Sequence, residues 1–258
     1  IVYGIPREKN MKKSNHHNLN IKNRKVLIIG GLGGIGFETA KRFDELGADV
    51  CIGDRNIKSF DHPSIKIKKC DISDKNQCEE IIHEFINEYG RLDVLINAAA
   101  LLIREDTNNV TEEAIESMTK INMNGSFYLA RAAANFMKKQ ESGRIILFSS
   151  QGGHTGGYIG STIYSMTKSA VISLCKSLAR EYAPHGITVN AIAPGIVNTQ
   201  MIKSNVTQES HKKFMEMVPM GRIADPVEIA NCCLFLASDW ASFITGHTLD
   251  VNGGQVMR

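Results

Sequence analysis

The sequence predicts a single α/β domain, a doubly wound parallel sheet of about seven strands with helices on both faces. Three observations predict it. Short apolar runs recur without inside–outside alternation, as strands covered on both faces read. Segments of helical period and length lie between those runs, which is what parallel crossovers require. Hydrophobic residues make up 43% of the 258 residues, enough for one well-buried core.

The elements follow in order. Lys25 to Gly30 is a first strand, continuous in Val, Leu and Ile. Gly36 to Leu46 is an amphipathic helix closed by Gly47, since glycine accepts the left-handed conformation that ends many helices. Asp49 to Gly53 and Ser64 to Cys70 are the second and third strands. Asp74 to Tyr89 is a helix with Ile81, Ile82, Phe85 and Ile86 on its apolar side, ended by Gly90. Leu92 to Asn97 is the fourth strand, and two helices follow near Thr111 to Ile121 and Gly125 to Lys139. Gly143 to Ser149 is a fifth strand, Ile163 to Tyr182 a long helix and Thr188 to Ala193 a sixth strand. Pro226 to Leu236 is a further helix and His247 to Val251 the last strand.

The formal charge is +3, and much of the excess lies in the first 25 residues, where seven Lys and Arg face only Glu8. Residues 1–24 therefore read as a flexible, basic, solvated tail, and residues 25–258 as the folded domain. Within the tail, Met11-Lys12-Lys13 reads as a translation start. The balanced remainder argues against a nucleic-acid surface. No stretch approaches the ~20 apolar residues of a membrane span. The six cysteines form no Cys-x-x-Cys pair and the eight histidines are scattered, so no metal site is expected and a reduced, cytoplasmic setting is.

Chemistry begins at the end of the first strand. Ile28 to Gly36, IIGGLGGIG, packs five glycines into seven positions. Glycine lets the backbone take positive φ and approach a ligand closely, and the amides from Leu32 to Gly36 open a helix whose dipole favours a pyrophosphate. Two spacings are open: Gly31-x-Gly33-x-x-Gly36 and Gly30-x-x-x-Gly34-x-Gly36. Asp54 ends the second strand eighteen residues past Gly36, where an acid can accept hydrogen bonds from the adenosine ribose. A carboxylate there repels a 2′-phosphate and favours NAD over NADP. Arg55, next door, could pair with that phosphate instead.

In YSMTK, Tyr164 and Lys168 fall one helical turn apart on one face. A phenol with an unperturbed pKa of ~10 is a poor base near neutrality. An ammonium within ~4–6 Å favours the phenolate, so the pair can exchange a proton near pH 7. Upstream stands GRIILFSS, a strand ending in two serines; downstream stands ITVNAIAPGIVNT.

Taken with Asp71-Ile72, NAAA from Asn97, NMNGSF from Asn122 and TGHTLDVNGG near the end, the chain resembles the short-chain dehydrogenase/reductase family from Lys25 to Gly254. The resemblance extends to that family's 3-oxoacyl carrier-protein reductases. It implies a Rossmann-type fold and selects the Gly30, Gly34, Gly36 spacing. It implies that Tyr164 is the general acid/base, that Lys168 lowers its pKa and holds the nicotinamide ribose, and that Ser150 binds the substrate oxygen. Asn122 would anchor a water in a proton relay. Gly30, Gly33, Gly34, Ile35 and Gly36 would line the pyrophosphate, with Asp54 and Arg55 at the adenosine ribose. Asp71 and Ile72 would flank the adenine, with Asn97, Ala98 and Ala99 near that ribose and Ile121 near the other. Val197 and Thr199 would reach the carboxamide beside Pro194 and Gly195.

Three departures stand out. Ile29 replaces a common threonine, NAAA replaces the usual NNAG, and the Ser150-to-Tyr164 interval is one residue longer than the family pattern. The last leaves Ser149 and Ser150 as alternatives for the inward hydroxyl. The segments 151–162 and 198–222 should border the substrate, the second with the mixed methionine and polar composition of a mobile lid. His154 is expected as an exposed loop residue, and no arginine cluster marks a carboxylate or phosphate substrate. The expected activity is NAD-dependent interconversion of a secondary alcohol and a ketone. Alternatives are an NADPH-dependent 3-oxoacyl-thioester reductase and a non-catalytic nucleotide sensor of the same fold. The resemblance also implies a homotetramer built on the long helices after the fourth and fifth strands.

Overall fold

A computed structural model describes residues 19–57, 62–200 and 215–258. Seven parallel strands form one sheet: β1 (Lys25–Ile29), β2 (Asp49–Asp54), β3 (Lys66–Lys69), β4 (Val94–Asn97), β5 (Gly143–Phe148), β6 (Ile187–Pro194) and β7 (Thr248–Val251). Their order across the sheet is β3-β2-β1-β4-β5-β6-β7, every neighbouring pair parallel. From β1 the chain winds outward to β3, then returns to place β4 on the other side of β1. Ligands of open α/β sheets bind at such a reversal, outside the carboxyl ends of the strands.

Both faces are covered, and successive residues of a strand supply opposite cores. Leu27 and Ile29 of β1 join Leu95, Leu147 and Val189 beneath α2 (Lys75–Tyr89), α4 (Ser126–Gln140) and α6 (Thr162–Tyr182). Val26 and Ile28 join Val50, Ile96 and Phe148 beneath α1 (Gly34–Glu45) and α7 (Pro226–Ala237). The continuous apolar runs in the sequence are this two-sided burial. Asp74 caps α2 by accepting the Asn76 amide, and Gly90 closes it at φ 75°.

Three expectations need correction. The body does not begin at Lys25: Ile21 is 1% exposed within the core, and Arg24 pairs with Asp239 at 2.6 Å while donating to the Ala237 carbonyl. Apolar burial and a partly buried ion pair thus fix residues assigned to the tail; residues 1–18 lie outside the described set. The two helices expected over 111–139 are joined, because α3 (Glu112–Met118) runs through a π-helical turn, Thr119–Gly125, directly into α4. Finally, the glycine-rich segment after β5 contains a short helix, α5 (Gly152–Thr155).

Candidate active site

The glycine loop bridges the sheet reversal. Gly30 has φ +73°, and a Cβ there would lie 2.5 Å from the Ala99 amide nitrogen at the end of β4. Gly36 passes so close beneath the loop that its Cβ would meet the Gly30 carbonyl oxygen at 2.3 Å. At Gly34 the nearest atom would be Thr199 Cγ2 at 3.0 Å, whereas at Gly33 it would be the Gly30 carbonyl oxygen at 3.3 Å, tight but the loosest of the set. Sterics press hard on Gly30, on Gly36 and, through Ile52 Cγ2 at 2.5 Å, on Gly31, and least on Gly33, so the rival spacing is weakest at Gly33. Gly33 caps α1 without a side-chain hydrogen bond, and no acid occupies the first turn. The opening amides of α1 thus face outward with the positive end of the helix dipole.

Two adjoining cavities flank this turn and share Ala98 and Ala100 in their walls. One, of about 350 Å³, is lined by Gly30, Gly33, Asp54, Arg55, Asp71 and Ile72, with Ala99 and Ile121 on the β4 side. Asp54 accepts the Leu32 amide at 3.1 Å and the Asn56 amide at 3.1 Å, which ties the end of β2 to the glycine loop. The other cavity, of about 160 Å³, brings together Ile35, Ser150, Tyr164 and Lys168 with Pro194, Gly195, Val197 and Thr199. A glycine cradle that any Cβ would fill, uncapped helix amides and a carboxylate at the far wall fit a dinucleotide laid across both spaces.

Of the two serines, Ser149 is turned into the protein, donating to the Lys168 carbonyl at 2.9 Å. Ser150 lines the cavity, accepts the Gly152 amide at 3.2 Å and draws the Tyr164 phenol down, which makes it the inward hydroxyl. Desolvation in the cavity pushes the Tyr164 phenol up to about 12, against the pull of Ser150 and the Arg104 guanidinium. Lys168 is 2% exposed, and burial draws its ammonium down to about 8. Its Nζ lies 5.6 Å from the Tyr164 ring centroid and donates to the Phe148 carbonyl at 2.7 Å. The pulls that lower the phenol in this arrangement come from Ser150 and Arg104.

Four of the predicted residues line neither cavity: Gly34, Gly36, Asn97 and Asn122. The two asparagines belong to a buried chain of hydrogen bonds underneath. Asn97 Nδ2 donates to Ser126 Oγ at 3.0 Å, and Ser126 donates to the Asn122 carbonyl at 2.7 Å. Asn122 Nδ2 donates to Thr167 Oγ1 at 3.0 Å, and Thr167 donates to the Tyr164 carbonyl at 2.7 Å. The π-helical turn aims Asn122 inward, a use of such turns that recurs at functional sites. Asn97, 1% exposed, thus turns away from the cavity where the adenosine ribose was expected. Ser126 and Thr167 stood inside NMNGSF and YSMTK without a role; only their contacts reveal one.

Around the mouth, Tyr158 accepts from Gln151 Nε2 at 2.9 Å and from Gln255 Nε2, so the chain end closes over the segment after β5. His154 is not an exposed loop residue. Its side chain is 10% exposed in α5, with Nε2 3.6 Å from Asp250 Oδ1. Burial and the Arg258 charge lower its pKa, although Asp250 opposes them. The central part of the expected lid, residues 201–214, lies outside the described residues.

This arrangement matches known proteins. A family model described as enoyl-(acyl carrier protein) reductase matches residues 30–255. The 3-oxoacyl-[acyl-carrier-protein] reductase FabG of Thermotoga maritima is 32% identical over 253 residues, spanning 93% of this chain and 100% of its own.

The chain belongs to the short-chain dehydrogenase/reductase family.

A 3alpha-hydroxysteroid dehydrogenase of Mediterraneibacter gnavus is 35% identical and covers 90% of this chain and 97% of its own. The solved structure titled "ElxO with NADP Bound" has a TM-score of 0.84 at 32% identity, over 90% of this chain and 98% of that one. As a member of this family, the protein is an NAD(P)-dependent oxidoreductase that interconverts alcohol and ketone groups of small molecules. No helix among the described residues is long and apolar enough to cross a membrane.

Proposed function

We propose that the protein is an NAD-preferring dehydrogenase/reductase of secondary alcohols and ketones, with Tyr164 as its general acid/base. The observation that carries this reading is the convergence of Tyr164, Ser150 and Lys168 on a cavity that adjoins the glycine-loop cavity through Ala98. When bound, the nicotinamide donates or accepts the hydride. Ser150 orients the substrate oxygen, and Tyr164 gives that oxygen a proton in reduction or takes one in oxidation. Lys168 would hold the nicotinamide ribose hydroxyls, while the pulls that favour the phenolate come from Ser150 and Arg104. Asn122 would anchor a water in the proton relay, held in place by the hydrogen bonds that its amide and carbonyl make to Thr167 and Ser126. Gly30, Gly33 and Ile35 would surround the pyrophosphate, with Gly34 and Gly36 shaping the turn behind them; Asp71 and Ile72 would flank the adenine, and Ala98, Ala99 and Ile121 would form the ribose walls, with Asn97 bracing them from beneath. Pro194, Gly195, Val197 and Thr199 line the carboxamide side.

NAD is favoured because the Asp54 carboxylate stands in the wall of the adenosine-side cavity, where a 2′-phosphate would be repelled. The names of the FabG relatives support a second reading, an NADPH-dependent reductase of 3-oxoacyl thioesters, with Arg55 as the phosphate partner.

The deciding experiment follows absorbance at the nicotinamide band with each cofactor over ketones, alcohols and 3-oxoacyl thioesters. Tyr164→Phe should lose roughly 10²–10³ in kcat while still binding cofactor. Unchanged turnover would remove the mechanism.

A homotetramer goes with this reading, supported by apolar side chains exposed on two helices, Phe127 on α4 at 38% and Met166 on α6 at 62%. A monomeric mass in solution would contradict it. A cytoplasmic setting and a single catalytic domain behind a basic N-terminal segment complete the reading. Recovery from a membrane fraction, or an independently folded N-terminal fragment, would contradict those two points.

A further inference from the structure

Among the described residues, the wall of the Tyr164 cavity contains no Asp or Glu, yet it contains two cationic side chains. Lys168 has a partner in the Phe148 carbonyl. Among the described residues Arg104 has none: its Nε is fully shielded from solvent, and no hydrogen-bond acceptor or ion-pair carboxylate of those residues reaches the side chain. The neighbouring Glu105 carboxylate is engaged elsewhere, accepting the Thr111 amide at 3.0 Å. A shielded N–H without an acceptor carries a desolvation cost that an acceptor on a ligand would relieve, most strongly an anionic one.

The backbone around Arg104 is braced on both sides. Three residues before it, Leu101 is held by the Asn122 side chain; one residue after it, the Glu105 amide donates to the Gly160 carbonyl at 3.1 Å. Arg104 is also near enough to Tyr164 for its charge to act on the phenol. A fixed cation therefore stands beside the acid/base group, in a chamber otherwise lined by Leu102, Phe148, Ile196 and small polar side chains.

We infer that Arg104 is a specificity-determining residue that binds a carboxylate of the substrate, so that the physiological substrate is a hydroxy acid or its oxo acid. The carboxylate lies within a few bonds of the reacting carbon, because Arg104 and Tyr164 share one small chamber. This rests on the oxidoreductase reading for the word substrate, but the anion site itself does not require turnover.

Two measurements test it. In the first, the full chain with saturating cofactor is offered 3-hydroxybutyrate, its methyl ester and the matching 3-oxoacyl thioester. The free acid should exceed the ester in kcat/KM by roughly tenfold or more. Arg104→Gln should erase that margin mainly through KM, lowering the acid roughly tenfold more than the ester, while Arg104→Lys restores part of the margin. Equal use of acid and ester by the unaltered protein, or an equal loss on both in Arg104→Gln, overturns the inference. In the second, calorimetry on cofactor-loaded Tyr164→Phe protein compares butyrate with butyramide, and so remains informative if the catalytic assignment fails. Butyrate should bind and Arg104→Gln should abolish that binding; indifference between the two ligands overturns the inference while leaving the oxidoreductase reading intact.

Discussion

The Asn122 side chain brackets Leu101 on both of its backbone groups: Oδ1 accepts the Leu101 amide at 2.8 Å and Nδ2 donates to the Leu101 carbonyl at 2.9 Å. A third bond from the same Nδ2 reaches Thr167 on α6. One fully buried amide thus joins the strand-end loop that carries Arg104 to the helix that carries Tyr164.

Asn122→Ala leaves buried donors and acceptors unpaired on both elements. It should cost about 3 kcal/mol of stability, by the usual penalty for unsatisfied buried groups. Chemical denaturation measures it, and turnover should fall with the lost alignment of Tyr164. A variant as stable as the parent would show that the clamp is idle.

The two glycine spacings separate by mutation. Gly30→Ala drives a Cβ to 2.5 Å from the Ala99 amide nitrogen at φ +73° and should abolish cofactor binding or folding. Gly33→Ala meets its nearest atom at 3.3 Å and should retain cofactor binding within about tenfold. Fluorescence titration with NADH compares them. The reverse ranking would restore the other spacing.

Burial lowers the Lys168 ammonium from its usual 10.5 to about 8. Between those values the unfolded chain still holds this proton and the folded chain has released it, so stability gains from this group as pH rises through the window. Below about 8 both forms are protonated and the burial penalty is complete. The stability difference between the parent and Lys168→Met should therefore move in favour of the parent from pH 8 to 10.5, by a few kcal/mol. Denaturation midpoints across that range supply the test; a difference independent of pH would sink it. Tyr164, raised from 10.0 to about 12, acts in the opposite sense above pH 10, where only the unfolded chain loses its proton.

Asp54→Ala removes the charge facing a 2′-phosphate while leaving Arg55 beside it. The ratio of kcat/KM for NAD over NADP should fall at least tenfold, the effect of one unfavourable charge contact. Steady-state kinetics with both cofactors decide the point. An unmoved ratio would deny Asp54 its discriminating role.

The elements that the sequence marks most plainly are those with short-range causes. The runs KVLII and VLIN are strands because both faces of the sheet are buried, and Gly90 ends α2 because only glycine takes φ 75° at no cost. The third strand is shorter than its apolar pattern suggested, starting at Lys66 although Ile65 is buried, since pairing with β2 begins there.

What the sequence by itself determined is the alternation of strands and helices, the glycine turn after β1 and the shared helical face of Tyr164 and Lys168. Each depends on side-chain period or on φ preference within a few residues. The inward serine, the buried environment of His154, the hydrogen-bond chain through Ser126 and Thr167, and an Arg104 without a partner among the described residues were decided only by tertiary structure. Each depends on which distant segments pack around a side chain, and on how much water they exclude from it, and neither quantity is written in the local pattern.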